Sequence, residues 1–449
     1  MTLASAARLV ALGAALLGAF SAALFTGDSK IASVWLAAAG LLWWATCVRA
    51  GTLEVSRRWL WGIALGMRLL AFATGPRFSD DIYRYLWEGE VILEGRSPYS
   101  LAPDSPRLAE LRARLPGLQS RVNHPEVPAA YPPLVQACGT IAALADRAAP
   151  SASNRVGLLG LRLLFLGADL LLLGLLVRAA GCGLLRPEAG IVWGWCPLVC
   201  LEFAGSGHLD SLGILWLTLA LLVVDERSLR AALFTGLGIA TKFLPVVLLP
   251  WLWRTGAGRK AWARPLLALA VGVAGFVPFA LLAERGAGLD AGLQVYGERW
   301  EASSMLYRFV EPFVREHLVA ADAPFESARH LARVLAGLAW CAFAGWTILR
   351  VTDPWRGCGR LVGAFLVLSP TLHPWYLLWM LPFLARSSSG GWSWMIAVAG
   401  LMYWPLDGWV REHAWIEPSW LWWTTVPVFA SLCAWELLEP WRGARREAD

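Results

Sequence analysis

The sequence predicts an all-α protein, a polytopic bundle of about 12 to 13 transmembrane helices. Hydrophobic residues make up 57% of its 449 residues and charged residues only 16%, whereas soluble domains carry roughly 25% charged residues. Apolar runs of about 17–25 residues recur along the chain, and each is long enough to cross a bilayer. Because lipid offers the backbone no hydrogen-bond partner, these runs must be helices. They also lack the alternation typical of barrel strands.

The apolar runs describe a single membrane domain, residues 1–449, with two polar interruptions. The first run lacks a small-residue cleavage site, so we interpret it as a span and not as a removed signal peptide. The segments 76–131 and 284–328 are predicted to be outer loops that carry surface helices. The predicted spans are 7–26, 31–49, 59–75, 156–178, 189–205, 210–224, 231–253, 265–283, 329–350, 361–385, 392–407 and 419–437, with a weaker stretch at 132–149.

Basic residues cluster in the short connections, and the positive-inside rule assigns those connections to the cytoplasm. Three spans then place the loop 76–131 outside, together with 284–328 and the connections 206–209 and 407–418. The basic residues that set this orientation are Arg57, Arg58, Arg178, Arg186, Arg227, Arg230, Arg254, Arg259, Lys260, Arg264, Arg350, Arg356, Arg360, Arg442, Arg445 and Arg446.

For this orientation to hold, two segments cannot be single helices that cross the membrane once. The stretch 132–149 must return to the outer face as a half-helix or a surface helix. The run 231–253 must break near Lys242 and Pro245 as a re-entrant pair, because a charge and a proline interrupt it.

Composition and motifs disfavour several classes of function. The formal net charge of +6 mostly reflects cytoplasmic arginine, so it is weak evidence for nucleic-acid binding. None of the eight cysteines forms a CxxC pair or a Cys/His cluster. Cys196 and Cys200 share a helix face, but two thiols alone rarely bind a metal. The chain has no Walker loop and no nucleophile elbow, which disfavours ATP-driven transport and serine hydrolysis. We expect neither a metal nor a cofactor.

An acidic motif opens the first outer loop, in the segment 78–89. Asp80 and Asp81 directly follow an apolar run, and anions at a membrane boundary are costly without a purpose. One interpretation is that they only cap the helix that follows. Capping needs one aspartate, however, and the second is free to act on a substrate. A carboxylate held near a partly dry interface can have a raised pKa, which suits a general base.

Further polar groups interrupt the later spans. In the segment 202–210, a Gly-Ser-Gly turn permits close approach to a ligand, and His208 and Asp210 supply polar groups. A plain turn with a capping aspartate is the alternative, although Glu202 inside an apolar span is harder to explain that way. Lys242, beside a predicted helix break, is a candidate phosphate ligand, and its alternative is snorkelling to the interface.

Two more candidates follow in the second half of the chain. Arg299 could pair with a phosphate or with the neighbouring Glu298 or Glu301. His373 lies between two prolines at an outer span end, where it could contact a headgroup or simply lie in the interface.

These motifs, in this order, resemble those of the GT-C superfamily of polytopic glycosyltransferases. The resemblance consists of the acidic motif in the first outer loop, the Tyr-Pro-Pro-Leu run at 131–134 and the Gly-His turn at 207–208. It covers nearly the whole chain. Each motif alone is weak, whereas the ordered set is fairly specific.

The chain most resembles bacterial polyprenyl-phosphate-mannose-dependent mannosyltransferases. In those enzymes an aspartate precedes a tyrosine by four positions and a Pro-Tyr pair by about seventeen. Asp81, Tyr85 and the Pro-Tyr pair at 98–99 keep that spacing. An alignment on Trp87 to the dolichyl-phosphate-glucose transferases favours Asp80 instead, so both aspartates are candidates and Asp81 ranks first.

The resemblance implies a one-step inverting transfer in which Asp81 takes a proton from the acceptor hydroxyl. The leaving lipid phosphate needs a cationic partner, and the candidates are Lys242, Arg299 and His373, in that order. His208 would contact the sugar or the phosphate. The other residues expected to bind the donor are Asp210, Tyr85, Arg84 and Tyr131.

The implied donor is a polyprenyl-phosphate sugar, with mannose expected and glucose or arabinose open. The implied acceptor is a glycolipid or a glycan on the extracytoplasmic face of the bacterial cytoplasmic membrane. A transporter or flippase of lipid-linked sugars is the main alternative, although such proteins often show internal repeats, and none is evident in the sequence. A ligase or polymerase of the outer face is a third hypothesis, under which the aspartate–tyrosine spacing would be accidental.

Overall fold

The computed structural model describes residues 3–49, 55–149, 154–226, 228–256, 258–283, 288–320, 324–412 and 414–446. Of the basic residues that set the predicted orientation, Arg227 lies outside these residues. The structure is 77% helical, and the one β-type pairing within the described ranges is an isolated parallel bridge between Ala302 and Thr371. The prediction of an all-α fold is confirmed.

Helices follow one another through the whole described chain. The first three are Leu3–Phe25, Ser29–Arg49 and Arg57–Thr74. The loop 76–131 adds Asp81–Leu93, Pro106–Leu108, Ala109–Arg114 and Pro116–Gln119, and Pro133–Ala148 follows it. The middle of the chain forms Arg155–Gly181, Ala189–Gly194, Pro197–Val199, Cys200–Ser206, Asp210–Leu222, Val224–Glu226, Arg230–Thr241, Leu244–Leu248, Leu249–Arg254, Gly258–Trp262, Ala263–Ala274 and Val277–Leu282. The last part forms Ala291–Arg299, Tyr307–His317, Phe325–Arg350, Pro354–Leu368, Pro374–Met380, Leu381–Arg386, Gly390–Val398, Ala399–Tyr403, Leu406–Glu412 and Ser419–Arg446.

Four helical stretches of the described chain are long and apolar enough to cross a membrane: Ser29–Arg49, Arg155–Gly181, Ala263–Leu282 and Phe325–Arg350. This number is smaller than the 12 to 13 predicted spans. Several other apolar runs are divided into shorter helices, often where proline removes a backbone donor.

The broken run near Lys242 is confirmed. One helix ends at Thr241, Lys242 is extended, and a 3-10 helix begins at Leu244. The predicted continuous span 361–385 is wrong, because helix Pro354–Leu368 ends before its middle and a 3-10 helix starts only at Pro374. Pro370 and Pro374 explain this second break, since neither can donate a helical hydrogen bond.

The helix that begins at Asp81 is held tightly against helix Pro133–Ala148. Gly89 and Gly139 face each other at the crossing, and a Cβ on either glycine would collide with the backbone of the other helix. The absence of both side chains therefore lets the two backbones touch. This contact positions the start of helix Asp81–Leu93 relative to the chain that follows Tyr131.

A buried ion pair joins three helices beneath the outer loop. The guanidinium of Arg68 donates to both carboxylate oxygens of Asp169, over 2.7 and 2.8 Å. It also donates to the carbonyl of Gly194 over 2.9 Å, and Trp193 Nε1 donates to Asp169 over 2.7 Å. Arg68 and Asp169 are both fully buried, so this network ties helices Arg57–Thr74, Arg155–Gly181 and Ala189–Gly194 together.

Candidate active site

Two adjacent carboxylates begin the first helix of the outer loop. Asp80 occupies the N-cap position of helix Asp81–Leu93, but its side chain makes no capping hydrogen bond. The backbone N–H of Asp81 donates to Ser79 Oγ over 3.3 Å instead. Both aspartates are partly exposed. The interpretation that they only cap a helix is therefore wrong, and both carboxylates are available to other groups.

A single amide bridges the two carboxylates. Asn123 Nδ2 donates to Asp80 Oδ1 over 2.7 Å and to Asp81 Oδ1 over 2.8 Å. Arg84 Nε donates to the amide oxygen of Asn123 over 3.1 Å, and its other nitrogens donate to the carbonyls of Asn123 and Val127. Arg84 was expected to bind the donor. Its guanidinium makes these hydrogen bonds and so holds Asn123 in place.

Tyr131 completes the hydrogen bonding of the second carboxylate. Its hydroxyl donates to Asp81 Oδ2 over 2.9 Å, and Tyr99 fixes its backbone by donating to its carbonyl over 2.7 Å. The buried ring of Tyr85 packs edge-on against Tyr131, with 5.1 Å between centroids, and against Phe165. Tyr85 therefore supports Tyr131 from within the core. Burial and the charge of Asp81 raise the pKa of Tyr131, so its hydroxyl remains a donor.

The pKa values of the two carboxyl groups are shifted in opposite directions. Burial and the neighbouring charge of Asp81 raise the pKa of Asp80 to about 6. Burial also favours protonation of Asp81, but His208, Asn123 and Tyr131 together favour its carboxylate more strongly, so the pKa of Asp81 lies below its ordinary value. At neutral pH Asp81 is therefore a well-stabilised carboxylate, and the raised pKa that favours a general base is found at Asp80 and not at Asp81.

The Gly-His turn packs against the helix that carries the two carboxylates. The π-helical segment Cys200–Ser206 ends at Gly207, which has a φ of 73°. A Cβ at Gly207 would lie 2.7 Å from Ile82 Cδ1 in the helix that carries the carboxylates. His208 and Glu202 are fully buried, with 3.7 Å between Nδ1 and Oε2. Their side-chain nitrogens and oxygens have no hydrogen-bond partner among the described residues.

Lys242 is held by a carboxylate and an aromatic ring. Its Nζ donates to Asp210 Oδ1 over 2.6 Å and lies 4.1 Å from the ring centroid of Tyr376. Trp379 Nε1 donates to the same oxygen of Asp210 over 2.5 Å. The interpretation of a simple capping aspartate is therefore wrong, because the Asp210 carboxylate accepts hydrogen bonds from Lys242 and Trp379. The Lys242 side chain is 21% exposed, so a ligand can still reach the ammonium group.

Aromatic rings join the two histidines. His373 stacks on Trp375, with 4.5 Å between centroids and 6° between planes, and Trp375 contacts His208 edge-on over 4.1 Å. The hydroxyls of Tyr376 and Tyr296 are 2.5 Å apart. These contacts bring the Gly-His turn, the second broken helix and the second outer loop together.

Electrostatic interactions connect the two sides of the site. His208 and His373 each interact with Asp81 and with Lys242. The structure therefore gathers a proton acceptor, a cation and two imidazoles into one cluster, although they come from four separate parts of the chain.

Arg299 does not join this cluster. Its side chain is exposed at the end of helix Ala291–Arg299, and its carbonyl accepts a hydrogen bond from Arg329 over 3.3 Å. Tyr296, three positions earlier, is the member of this segment that contacts the site through Tyr376.

The two broken helices have the same local design, which the sequence reasoning missed. Lys242 and His373 are both extended, with ψ of 140° and 153°. After each comes a 3-10 helix and then a short α-helix that begins Leu-Pro and ends in arginine: Leu244–Leu248 with Leu249–Arg254, and Pro374–Met380 with Leu381–Arg386.

Sequence reasoning also missed Asn123, Tyr296, Trp375, Tyr376 and Trp379 as site residues. The tyrosines and tryptophans look like ordinary interfacial aromatics in the sequence, and Asn123 looks like a turn residue. Throughout the described ranges, no three His, Cys, Asp or Glu side chains converge in a way that could hold a metal ion.

Comparison with known proteins identifies the family. A family model described as "Alpha-(1->6)-mannopyranosyltransferase, N-terminal domain" matches residues 3–257, more than half of the chain. This range includes Asp80, Asp81, Asn123, His208 and Lys242. No curated protein and no solved structure matches the chain. The chain therefore belongs to the alpha-(1->6)-mannopyranosyltransferase family and is a mannosyltransferase of the GT-C type.

Proposed function

We propose that this mannosyltransferase takes mannose from a polyprenyl-phosphate donor and transfers it, with inversion, to a hydroxyl of a glycan or glycolipid. The reaction takes place on the extracytoplasmic face of the bacterial cytoplasmic membrane. The observation that carries the proposal is Asp81, a partly exposed carboxylate whose pKa is lowered and whose oxygens are oriented by Asn123 and Tyr131. Its fixed orientation suits it to accept a proton from a bound hydroxyl, while its lowered pKa makes it a weaker base than Asp80.

The chemical step displaces the lipid phosphate from the anomeric carbon. The acceptor oxygen forms a bond to C1 while the bond from C1 to the phosphate oxygen breaks, and the electron pair of that bond leaves with the phosphate. Asp81 takes the proton of the acceptor hydroxyl. Single displacement inverts the configuration at C1, so the α-linked product named by the family requires a β-linked donor.

Lys242 is the group best suited to the leaving phosphate. Negative charge grows on the bridging oxygen during the step, and a fixed cation at that oxygen lowers the barrier. Asp210 and the ring of Tyr376 hold the ammonium group, so little motion is needed when the charge develops. His373 and His208 each interact electrostatically with both this cation and Asp81, so the sugar is placed beside them.

One observation favours the alternative of a transporter or flippase. Paired broken helices that meet at a site are typical of secondary transporters, and the breaks at Lys242 and His373 form such a pair. Membership in a mannosyltransferase family favours the enzyme. A flippase would also leave the bond between C1 and phosphate intact, so the two functions differ in their products.

The test uses the full-length protein in proteoliposomes with polyprenyl-phosphate-[¹⁴C]mannose and an octyl mannoside acceptor. Release of polyprenyl phosphate and formation of an α-linked disaccharide are expected. Asp81→Asn should lower turnover about 10²–10⁴-fold, as expected for loss of a general base. Asp104→Asn, an exposed aspartate of the same loop, is the matched control and should retain activity.

Parallel reactions with glucose and arabinose donors test the sugar. Unchanged turnover in both Asp80→Asn and Asp81→Asn would contradict the assignment of a general base. Movement of an intact donor across the bilayer, without release of polyprenyl phosphate, would favour the flippase.

A further inference from the structure

A second cavity lies on the reverse side of the helix that carries the two carboxylates. Its volume is about 720 Å³, and Tyr83 and Glu90 line it from helix Asp81–Leu93. At 3.6 residues per turn, these two residues lie on the face roughly opposite to Asp81 and Tyr85. The cavity is therefore separate from the candidate active site and is called the reverse groove below.

The other walls of the reverse groove come from three segments. They are the loop segment 114–118 with Arg121, the end of helix Pro133–Ala148 at 146–147, and the start of the long apolar helix at 154–158. On the proposed orientation, that last segment marks the outer boundary of the membrane. The groove thus opens at the depth of lipid headgroups.

The reverse groove is basic. Four arginines line it, and its two carboxylates already have partners: Glu90 pairs with Arg147 over 2.7 Å, and Asp146 accepts from the backbone N–H of Gly157 over 3.0 Å. The four arginines are Arg114, Arg121, Arg147 and Arg155.

Two of these arginines carry charge that no carboxylate offsets. Arg114 and Arg147 share Glu94, over 2.6 and 2.7 Å. Arg121 instead donates to the Tyr83 hydroxyl over 3.1 Å, and Arg155 begins the apolar helix with an exposed side chain. In the described part of the chain, neither of these last two guanidiniums forms an ion pair with a carboxylate. Each guanidinium presents a planar pair of N–H donors. Two such groups on different walls of one groove are suited to bind a phosphate group.

We propose that the reverse groove binds the phosphate of an anionic lipid headgroup in the outer leaflet. Its volume suits a headgroup, since small-molecule sites commonly measure about 300–1,000 Å³. Its charge favours an anion, and the adjoining apolar helix gives the acyl chains a surface. Arg121 is two residues from Asn123, so a bound headgroup also steadies the segment that bridges the two carboxylates.

Native mass spectrometry of the detergent-purified protein tests this proposal directly, without depending on activity. The probes are phosphatidylglycerol, phosphatidylcholine and inorganic phosphate. Phosphatidylglycerol should remain bound, and phosphatidylcholine should not. Arg121→Gln with Arg155→Gln should weaken phosphatidylglycerol binding about 30-fold, because the loss of each basic side chain should weaken binding about fivefold.

The matched control is the double variant Arg315→Gln with Arg411→Gln. It removes the same charge from exposed positions outside the groove. It should bind phosphatidylglycerol like the parent protein. The double variant Arg121→Lys with Arg155→Lys should show intermediate binding, because lysine keeps the positive charge but lacks the planar N–H donors of the guanidinium.

Three outcomes would overturn the proposal. The first is equal loss of binding in the two double glutamine variants, and the second is equal retention of the two lipids by the parent protein. The third is displacement of phosphatidylglycerol by inorganic phosphate at equal concentration, which would mean that the site recognises phosphate without the lipid. None of these outcomes bears on the role of Asp81.

Discussion

Removing the amide of Asn123 should raise the pH at which the enzyme loses activity in acid. Asn123→Ala deletes the hydrogen bonds to both Asp80 and Asp81. These bonds favour the charged form of each carboxylate, and their loss favours protonation. Arg84 keeps its bonds to backbone carbonyls in the variant, so the loop should stay folded.

The size of the shift follows from the strength of those bonds. A hydrogen bond to a charged group contributes about 1.5–3 kcal/mol, and about 1.36 kcal/mol corresponds to one pKa unit. The pKa of each carboxyl should therefore rise by about one to two units, which moves Asp80 from about 6 to roughly 7–8. Because Asp81 acts in its charged form, activity should fall at acidic pH and recover at alkaline pH.

The assay is the pH profile of kcat/KM for release of polyprenyl phosphate between pH 3 and 9, because the pKa of Asp81 in the parent protein lies below its ordinary value. The acid limb of Asn123→Ala should lie about one to two units above that of the parent protein. Activity near pH 9 should be within about threefold of the parent value. Gln119→Ala removes an amide from the same loop and should leave the profile unchanged. A uniform loss at every pH would refute the electrostatic role, because it would mean that Asn123 only supports the fold.

Asp80→Asn should stabilise the protein by about 2–3 kcal/mol at pH 8, because the pKa of Asp80 is raised to about 6 by folding. The charged form destabilises the folded state, so the gain in thermal stability should disappear as the pH falls from 6 to 4; a gain that persists at pH 4 would contradict this reasoning. Lys242→Met should lower kcat about 10²–10³-fold with a smaller change in KM, since the cation acts on charge that develops during the step. Exposed Lys30→Met is the control, and equal losses in both variants would exclude a specific role. Arg68→Met should reduce thermal stability by about 3–5 kcal/mol by leaving Asp169 as an unpaired buried charge. The double variant with Asp169→Leu should recover most of that stability, and no recovery would show that the loss has another cause.

The sequence identified the acidic motif and the break at Lys242 because both depend on local chemistry. Charges and prolines inside apolar runs are costly in lipid, so they stand out without knowledge of the fold. The same reasoning indicated Glu202 and His208, which the structure places together beside the helix of Asp81.

The remaining site residues depend on how the outer loops pack, which local patterns do not determine. Asn123 lies 42 positions after Asp81 and reaches it only because Arg84 holds the intervening loop. Tyr296 meets Tyr376 across 80 positions, while the charged Arg299 that stood out in the sequence is exposed. Charge was thus a good guide inside the apolar runs and directly after them, where the acidic motif lies, and a poor guide for arginine in the loops, because exposed arginine costs little.

The carboxylates lie on a loop, whereas Lys242 and His373 lie at helix breaks, and this arrangement has a physical reason. The first outer loop contributes the carboxylates, whose protonation needs adjustable hydrogen bonds such as those from Asn123 and Tyr131. Lys242 and His373 come from helix breaks inside apolar runs, where unpaired backbone groups and nearby counter-charges make a polar side chain tolerable. Under the proposed function, a lipid phosphate approaches from the membrane side and an acceptor hydroxyl from the aqueous side. A cation on a broken membrane helix and a base on a loop would then each lie where its own substrate arrives.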